Sequence, residues 1–589
     1  MNCKAYGISF AAVFLAFGLL TGCGGSSSTT TPPPPPPPTT SNFVFSVSGQ
    51  DGLPADSGDI NYYALAGVVT INTSTGAVTT GEQDYNDGDG TTSPQGGGDS
   101  ISGDSISGGT LTVSSSTGQG TLTLNTSNTA LGVSGVETFA VQFVNANHAL
   151  ITQFDGSATS SGSLDLQSLS TAPSGGFAFT VSGVDPGYDP IAVGGVFTYA
   201  TTTPTSANGA IDANDDGTIQ TNQPFTITFN APDASGRGTI TSSAQYDIDG
   251  TETAIAFNYY IVGPEAIRII DVDTTDAAIG SAFGQGTNAT AAGSTTFVDP
   301  TSSQAVFSVA GNPWTFGNGA VGMFTATAGA AGAGTFAGVG EDFEVNNGIS
   351  SGLEASLAGT YTMGANGYGT PLAFTTDFGD TTTWGLYATD PNLNLEDPNN
   401  TTGGGGALVL DLSQSTDVLP GTTGVIIPQT DSATAATDFN GNYAAGWQNF
   451  NYYQNGCGGC ETDMVSQGSM VSAGALSLTG DDSDPFATLT ATTLTTGDTF
   501  AGTPQPDTIN LGRYSILTTN SGPLAVTINA ATPASLEVDL VMYQAGANQL
   551  FWLELDEGST FSGPLEQQPS TLTGLPGASI RPSAQIKHK

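Results

Sequence analysis

Apolar and polar residues alternate along most of this chain, and the alternation sets in at Phe43. Phe43, Phe45 and Val47 occupy every second position, the spacing of side chains on one face of a strand. Leu111 and Val113, then Leu122 and Leu124, continue the pattern on either side of Gly118-Gln119-Gly120. Residues 136–144 and 149–154 do so across Asn145-Ala146-Asn147-His148. Pairs of alternating runs joined by short polar or glycine turns are antiparallel hairpins. About eight strands at hairpin spacing fit between 41 and 170. No stretch sustains a 3.6-residue period with helix caps.

The same blocks return in the same order. Phe43-Val44-Phe45-Ser46-Val47-Ser48-Gly49 is matched by Phe177-Ala178-Phe179-Thr180-Val181-Ser182-Gly183 and by Ala305-Val306-Phe307-Ser308-Val309-Ala310-Gly311. Gly67-Val68-Val69-Thr70 is followed by Gly195-Val196-Phe197-Thr198 and Gly322-Met323-Phe324-Thr325. A third block is Gly118-Gln119-Gly120-Thr121, Gly236-Arg237-Gly238-Thr239 and Gly367-Tyr368-Gly369-Thr370. A more divergent fourth copy starts near Phe439-Asn440-Gly441-Asn442-Tyr443. Its end, Gln549-Leu550-Phe551-Trp552-Leu553, resembles His148-Ala149-Leu150-Ile151-Thr152. The expected organisation is therefore four β repeats, at 41–170, 175–298, 303–414 and 434–568, with a C-terminal tail at 569–589.

Eight antiparallel strands linked to their neighbours make either an up-and-down barrel or a two-sheet sandwich. The expected fold class is all-β: four tandem barrel or sandwich units, stacked as a rod or gathered in a cluster. The blocks resemble the tandem, lipocalin-like repeats of uncharacterised bacterial surface lipoproteins. That resemblance implies a fold and a location, and carries no catalytic motif. A membrane-spanning barrel of some thirty strands is disfavoured, since many strands are short and place Ser or Thr on one face.

The first residues point to export. Lys4 precedes an apolar run at 8–20. Its length, about 20 Å at 1.5 Å per residue, falls short of the ~30 Å hydrocarbon core and suits a signal peptide at 1–22. Leu20-Thr21-Gly22-Cys23 resembles the lipobox of bacterial lipoproteins. The resemblance implies that Cys23 is acylated and becomes the mature N-terminus, anchoring the protein in the cell envelope, at the outer membrane given Gly24 after the cysteine. Several acyl chains hold firmly where one holds marginally. Residues 23–40 then form a Gly/Ser/Thr and polyproline linker, with seven consecutive prolines at 32–38 acting as a stiff spacer.

Composition narrows the partners. Lys and Arg number 7 against 52 Asp and Glu, a net charge of −45. Phosphate binding needs clustered basic residues, so nucleic acid is excluded as a partner. The remaining expectation is a non-enzymatic envelope protein serving surface structure, adhesion or capture of a small apolar or carbohydrate ligand. The alternative is an exported polysaccharide hydrolase using an Asp/Glu acid–base pair.

Four groups of residues are candidate sites. Asp212, Asn214, Asp216 and Thr218 sit like the first half of an EF-hand calcium loop, but position 12 is Gln223 and supplies no bidentate carboxylate. A hairpin turn is the expected structure there, with calcium the one cofactor to consider and no other expected. Cys457 and Cys460 lack the further ligands that zinc needs, the His that haem attachment needs and the helix that a redox site needs. They are read as a disulfide closing a Gly-rich loop. Trp447, Phe450, Tyr452 and Tyr453 could stack on sugars, although aromatics alternating on a strand more often serve as core. His148, the one body histidine, aligns with Glu265 and Gln549 and is expected to be a polar turn residue.

Overall fold

The computed structural model describes residues 39–578 apart from 52–60, 88–99, 128–133, 172–173, 186–189, 200–205, 216, 247–252, 273–275, 287–303, 312–317, 330–331, 346–351, 355–357, 376–380, 414–421, 431–440, 452–459, 472–474, 485–492, 507–512, 521–535, 547 and 555–558. Among the described residues the regular elements are strands, and they form four antiparallel sheets. In the first, β1 (Thr40–Asp51), β2 (Asn61–Asn72), β3 (Ala77–Asn86), β4 (Ile101–Ile106), β5 (Gly108–Val113), β6 (Gln119–Asn125), β7 (Val136–Asn145), β8 (His148–Gln153) and β9 (Ala158–Leu166) follow one another. β1 pairs with both β2 and β9, and β2 pairs with β3, so the ladders run round a ring. β4 and β5 lie on successive parts of β3 and act as one broken strand.

The second sheet, from Gly175–Val184 to Ala277–Gly284, is a closed barrel of eight strands. In the third and fourth, an additional ladder joins the flanks of a nine-stranded sheet as it does in the first. The units are barrels, not sandwiches. Closure leaves no long open edge for another chain to pair with.

The third barrel closes on Thr423–Pro428, past the bound of 414 that the repeat spacing gives it. The reason is an insertion. In the first barrel, residues 146–147 alone join β7 to β8, whereas the corresponding strands of the third, Thr381–Ala388 and Ala407–Asp411, are separated by 389–406.

Alternation places one set of residues inside each barrel. Phe43, Phe45, Val47, Leu122, Leu124, Phe139 and Val141 share the first core. The other face is apolar too. Val44, Ala64, Ala66 and Val68 leave the first barrel and join a second cluster with Ala178, Val196 and Tyr260 of the second barrel and Leu408 and Leu410 of the third. Val306, Val321 and Ile427 of the third barrel pack likewise against Val541, Tyr543 and Phe551 of the fourth. Val144 and Leu150 of the first barrel meet Ala444 of the fourth. The four units therefore form a closed cluster in which the last touches the first.

One polar contact recurs at each seam. Gln167, just after the last strand of the first barrel, donates through Nε2 to the carbonyls of Ser235 and Ile261, both at 2.8 Å. Gln285 does the same to Asn366 at 2.9 Å and Ala388 at 3.0 Å. Gln429 reaches Gln544 O at 2.8 Å. Gln568, at the end of the fourth barrel, returns to Thr117 O at 3.0 Å and Phe143 O at 2.6 Å of the first.

Among the described residues, a carboxylate marks three of these four seams. Asp84 takes both arms of Arg237, at 2.7 and 2.8 Å, and the Tyr260 hydroxyl at 2.6 Å. Asp212 takes the hydroxyls of Tyr368 and Tyr387 at 2.6 and 2.7 Å. Asp481 takes the Gln119 amide at 2.9 Å. Gln119, Arg237 and Tyr368 are the middle residues of the repeated Gly-x-Gly-Thr blocks. The first glycine of each has φ between 75° and 89°, a left-handed turn that only glycine adopts without strain. It sets the following side chain against the preceding barrel.

The C-terminal tail makes the linker's contact with the first barrel. Leu169, between the first two barrels, packs on the second core. Leu575 is buried in the first core, with Leu572 and Ala578 beside it, and Gly577 N bonds Thr73 O at 2.9 Å. Leu575→Ala should therefore cost about 2–4 kcal/mol, the usual loss for a buried leucine. Urea unfolding followed by fluorescence checks this; an unchanged midpoint would show that the tail does not plug the barrel.

Inside the first barrel, Gln83 Nε2 donates to Glu137 Oε1 at 2.7 Å. Gln83 Oε1 and Glu137 Oε2 are buried without partners. A proton on Glu137 gives these two acceptors a shared donor, as in an acid–amide pair. Burial pushes this carboxyl up to about 8. Since the folded form holds the proton more tightly, the side chain's contribution to stability falls as pH rises from about 4.5 to about 8. Glu137→Gln keeps the pairing without the proton. Its unfolding midpoint should lose less between pH 6 and pH 9 than the parent's.

Candidate functional site

Where the four barrels meet lies a partly open cavity of about 320 Å³. Its lining includes His148 and Ser163 of the first barrel, Arg268 of the second, Glu396 of the third and Ser562 and Gln448 of the fourth. Each reaches it by strand alternation or by the insertion. Ala149 and Ile151 face the first core, so His148 faces outward, in register with Asp165 across the β8–β9 ladder. Ile267 and Ile269 face the second core, which turns Arg268 toward the first barrel. Leu565 faces the fourth core and Glu566 looks outward.

These groups form one charged network. His148 Nδ1 lies 2.7 Å from Asp165 Oδ1, and Nε2 lies 3.1 Å from Glu566 Oε1. Two carboxylate partners require a donor at each ring nitrogen, hence an imidazolium. Burial alone would lower the His148 pKa, but Glu566 and Asp165 outweigh it and hold it well above its ordinary value. Arg268 donates through Nη2 to Asp165 Oδ2 at 2.5 Å and Ser163 Oγ at 2.9 Å, and through Nη1 to Ser281 Oγ at 2.6 Å. Against the opposing effect of burial, Arg268 and His148 pull Asp165 down to about 2. The Nε–H of Arg268 has no hydrogen-bond partner.

Glu396 comes from the insertion of the third barrel, which is built rather than slack. The Asn394 side chain accepts from the amides of Glu396 and Asp397 at 2.9 and 3.1 Å. Leu393 and Leu395 anchor in the shared apolar cluster, and Asp397 accepts from Asn145 of the first barrel at 2.8 Å. Glu396 is half-buried and lines the cavity. Burial first, then the charge of Glu566, push its carboxyl up to about 7 against the pull of His148 and Arg268.

The expected candidates land elsewhere or outside the description. Asp212 and Asn214 lie on the strand Ser206–Asp215, and their oxygens are engaged in the seam and in the turn that Gly217 N closes on Asn214 Oδ1 at 2.9 Å. Thr218 opens the partner strand opposite Asp215; Asp216 lies outside the described residues. Among the described residues no three or more His, Cys, Asp or Glu side chains are placed to hold a metal. Trp447 points into the fourth core, its ring 4.6 Å from that of Trp552. Phe450 lies on the same strand, Gly441–Asn451, and Cys460 begins the next, Cys460–Val471. Tyr452, Tyr453, Cys457 and Cys23 fall outside the described residues.

His148 corrects an expectation: it is not a polar turn residue but the first residue of a strand, only 1% exposed. In register it corresponds to Ala266, not Glu265. Arg268, Asp165, Glu396 and Glu566 went unnoticed in the sequence. The signal that could have found them was scarcity, since a body with three arginines and one histidine among so many acids places each of them deliberately.

The junction does not assemble a serine triad. Ser163 Oγ bonds Asp165 at 2.8 Å, not His148, and both imidazole nitrogens are occupied by carboxylates. No base is left to take a serine proton. Asp165 is fully buried and saturated.

The junction's stability follows pH through three of its groups. The contribution of Asp165 is present above about 3.8 and fades as pH falls toward 2. That of His148 is complete below about 6.5 and is lost as pH rises through its elevated value. Glu396 adds a loss of stability from about 4.5 to about 7. His148→Ala strands two carboxylates and should cost about 3–5 kcal/mol near pH 6, with a smaller deficit at alkaline pH. Unfolding midpoints across pH 4 to 10 check both the size and the slope.

No family model and no curated protein matches the chain. Among solved structures it is similar to a double mutant of transferrin-binding protein B from Haemophilus parasuis Hp5, at 8% identity over 73% of this chain and 85% of that one, with a TM-score of 0.19. Intact Ap-TbpB, with N and C lobes, gives 9% identity over 71% and 83%, with a TM-score of 0.18. A mutant of the ferric enterobactin receptor PfeA of Pseudomonas aeruginosa gives 8% over 89% and 80%, with a TM-score of 0.12. Scores this low carry no argument about function.

Proposed function

We propose that this protein is a lipid-anchored component of the cell envelope, tethered through Cys23 and held off the membrane by the proline-rich linker. It binds a hydroxyl-rich saccharide in the central cavity without chemical conversion. The observation that carries this reading is the cavity itself, enclosed by contributions from all four barrels and floored by a fixed charged network.

The walls suit a sugar. Ser46, Ser48, Ser161 and Ser562 offer hydroxyls, and Leu150 and Leu395 supply apolar surface for C–H faces. Hydrogen-bond groups placed among small apolar ones are the ordinary make-up of a small-ligand site. The acidic surface keeps neighbouring molecules apart.

A polysaccharide pull-down beside a reducing-sugar assay tests the reading. Saturable retention with no sugar released is expected, and Ser161→Trp, which fills the cavity, should remove most of that retention. Product release would overturn the non-enzymatic assignment, and retention unaffected by Ser161→Trp would overturn the site. Labelled palmitate should mark the exported protein and fail to mark Cys23→Ser.

A further inference from the structure

We infer that the saccharide taken by the central cavity carries a free amino group, whose ammonium sits against Glu396. This deepens, and rests on, the saccharide reading above. The inference starts from a charge count at the junction. His148 and Arg268 supply two positive charges, and Asp165 and Glu566 answer them with two negative ones through direct contacts. Glu396 is the fifth member and has no counter-charge among these contacts. Facing it are Glu566 from the fourth barrel, Asp165 and His148 from the first and Arg268 from the second.

The two cations are already committed to the other carboxylates. An ionised Glu396 therefore leaves the junction with one net negative charge in a place where protein excludes most of the water. A ligand ammonium supplies the missing charge and a hydrogen-bond donor together, and a charge-assisted bond is roughly twice as strong as a neutral one.

The rest of the cavity fits the other end of such a molecule. Ser46, Ser48, Ser161 and Ser562 line it with hydroxyls that can pair with those of a sugar. An anionic ligand would instead meet Glu396 and Glu566 at short range. The net charge of −45 draws cations toward the surface and repels anions.

Glu396 also links binding to protons. With its carboxyl near 7, about half of the molecules hold a proton there at pH 7, and an arriving ammonium displaces it into solution. The exchange is a simple one: the N⁺–H···O⁻ contact forms and the carboxyl O–H is lost to the buffer.

Calorimetry on the full chain tests the inference with three probes: a β-linked glucosamine disaccharide, its N-acetylated counterpart and the unsubstituted glucose disaccharide. The amine should bind about ten- to a hundredfold more tightly than either neutral sugar. It should release about half a proton at pH 7, read from the dependence of heat on buffer ionisation enthalpy. Glu396→Gln, which keeps the shape, should level the three affinities and abolish proton release. Equal or weaker binding of the amine, or preference surviving in Glu396→Gln, overturns this inference and leaves saccharide binding standing. Failure of all three sugars to bind overturns both.

Discussion

The structure depends on strands that are apolar on both faces. A lone barrel buries one face of each strand and leaves the other in water, which polar residues can satisfy. Here Val44, Ala66 and Val68, and their counterparts in the other barrels, cannot be left there. Four barrels covering one another's flanks remove that surface, and the seams must then satisfy the backbone groups they trap. Gln167, Gln285, Gln429 and Gln568 do so with one side-chain amide each, aimed at carbonyls of the next barrel. Contacts of this head-to-tail kind either propagate without end or close into a ring. Closure here is visible in Gln568, which treats the first barrel as though it were a fifth. The tail that follows lays Leu575 into the first core, much as the first linker lays Leu169 on the second.

A ring built from one repeated contact has an axis, and the repeat cannot fill the axis by itself. Positions related by register diverge there. Asp165, opposite His148, corresponds to Phe283, opposite Ala266, and to Glu566, opposite Gln549. The first and fourth units turn carboxylates inward and the second turns a ring. The third contributes through its insertion at 389–406. Repetition makes the frame and its departures make the site, which is why no single repeat read alone describes the cavity.

The period of two and the recurring blocks made the strands, the barrel-sized units and the all-β class legible from the sequence. What stayed hidden is what happens between units. The run Tyr62-Tyr63-Ala64-Leu65-Ala66-Gly67-Val68-Val69 is apolar without alternation, the mark of a strand covered on both sides. Read that way, it announces a partner for the barrel's outer face. His148 looked like a turn residue because a hairpin places it beside Asn147, and only its register with Asp165 and the arrival of Glu566 from 418 residues away make it a buried cation. The calcium-like spacing around Asp212 arose because a seam carboxylate and a hairpin Asn lie two residues apart on one strand. The third unit's end was misplaced because 389–406 separates two strands that need only a two-residue turn elsewhere.

Stability alone does not account for the junction. Burying ions costs several kcal/mol each, and apolar side chains of the same volume are often as good or better at holding units together. The apolar flanks at the other seams show that this chain has that solution to hand. Yet at the axis it keeps two cations and three carboxylates, in a sequence that spends only seven basic residues over its whole length. Four of the five satisfy one another, so the network could have been complete without Glu396. The insertion that delivers it is anchored by Leu393, Leu395, Asn394 and Asp397, a substantial construction for a carboxyl group that destabilises the fold whenever it ionises. A group held at such cost, beside the cavity where four barrels converge, is better explained by what enters the cavity than by what surrounds it.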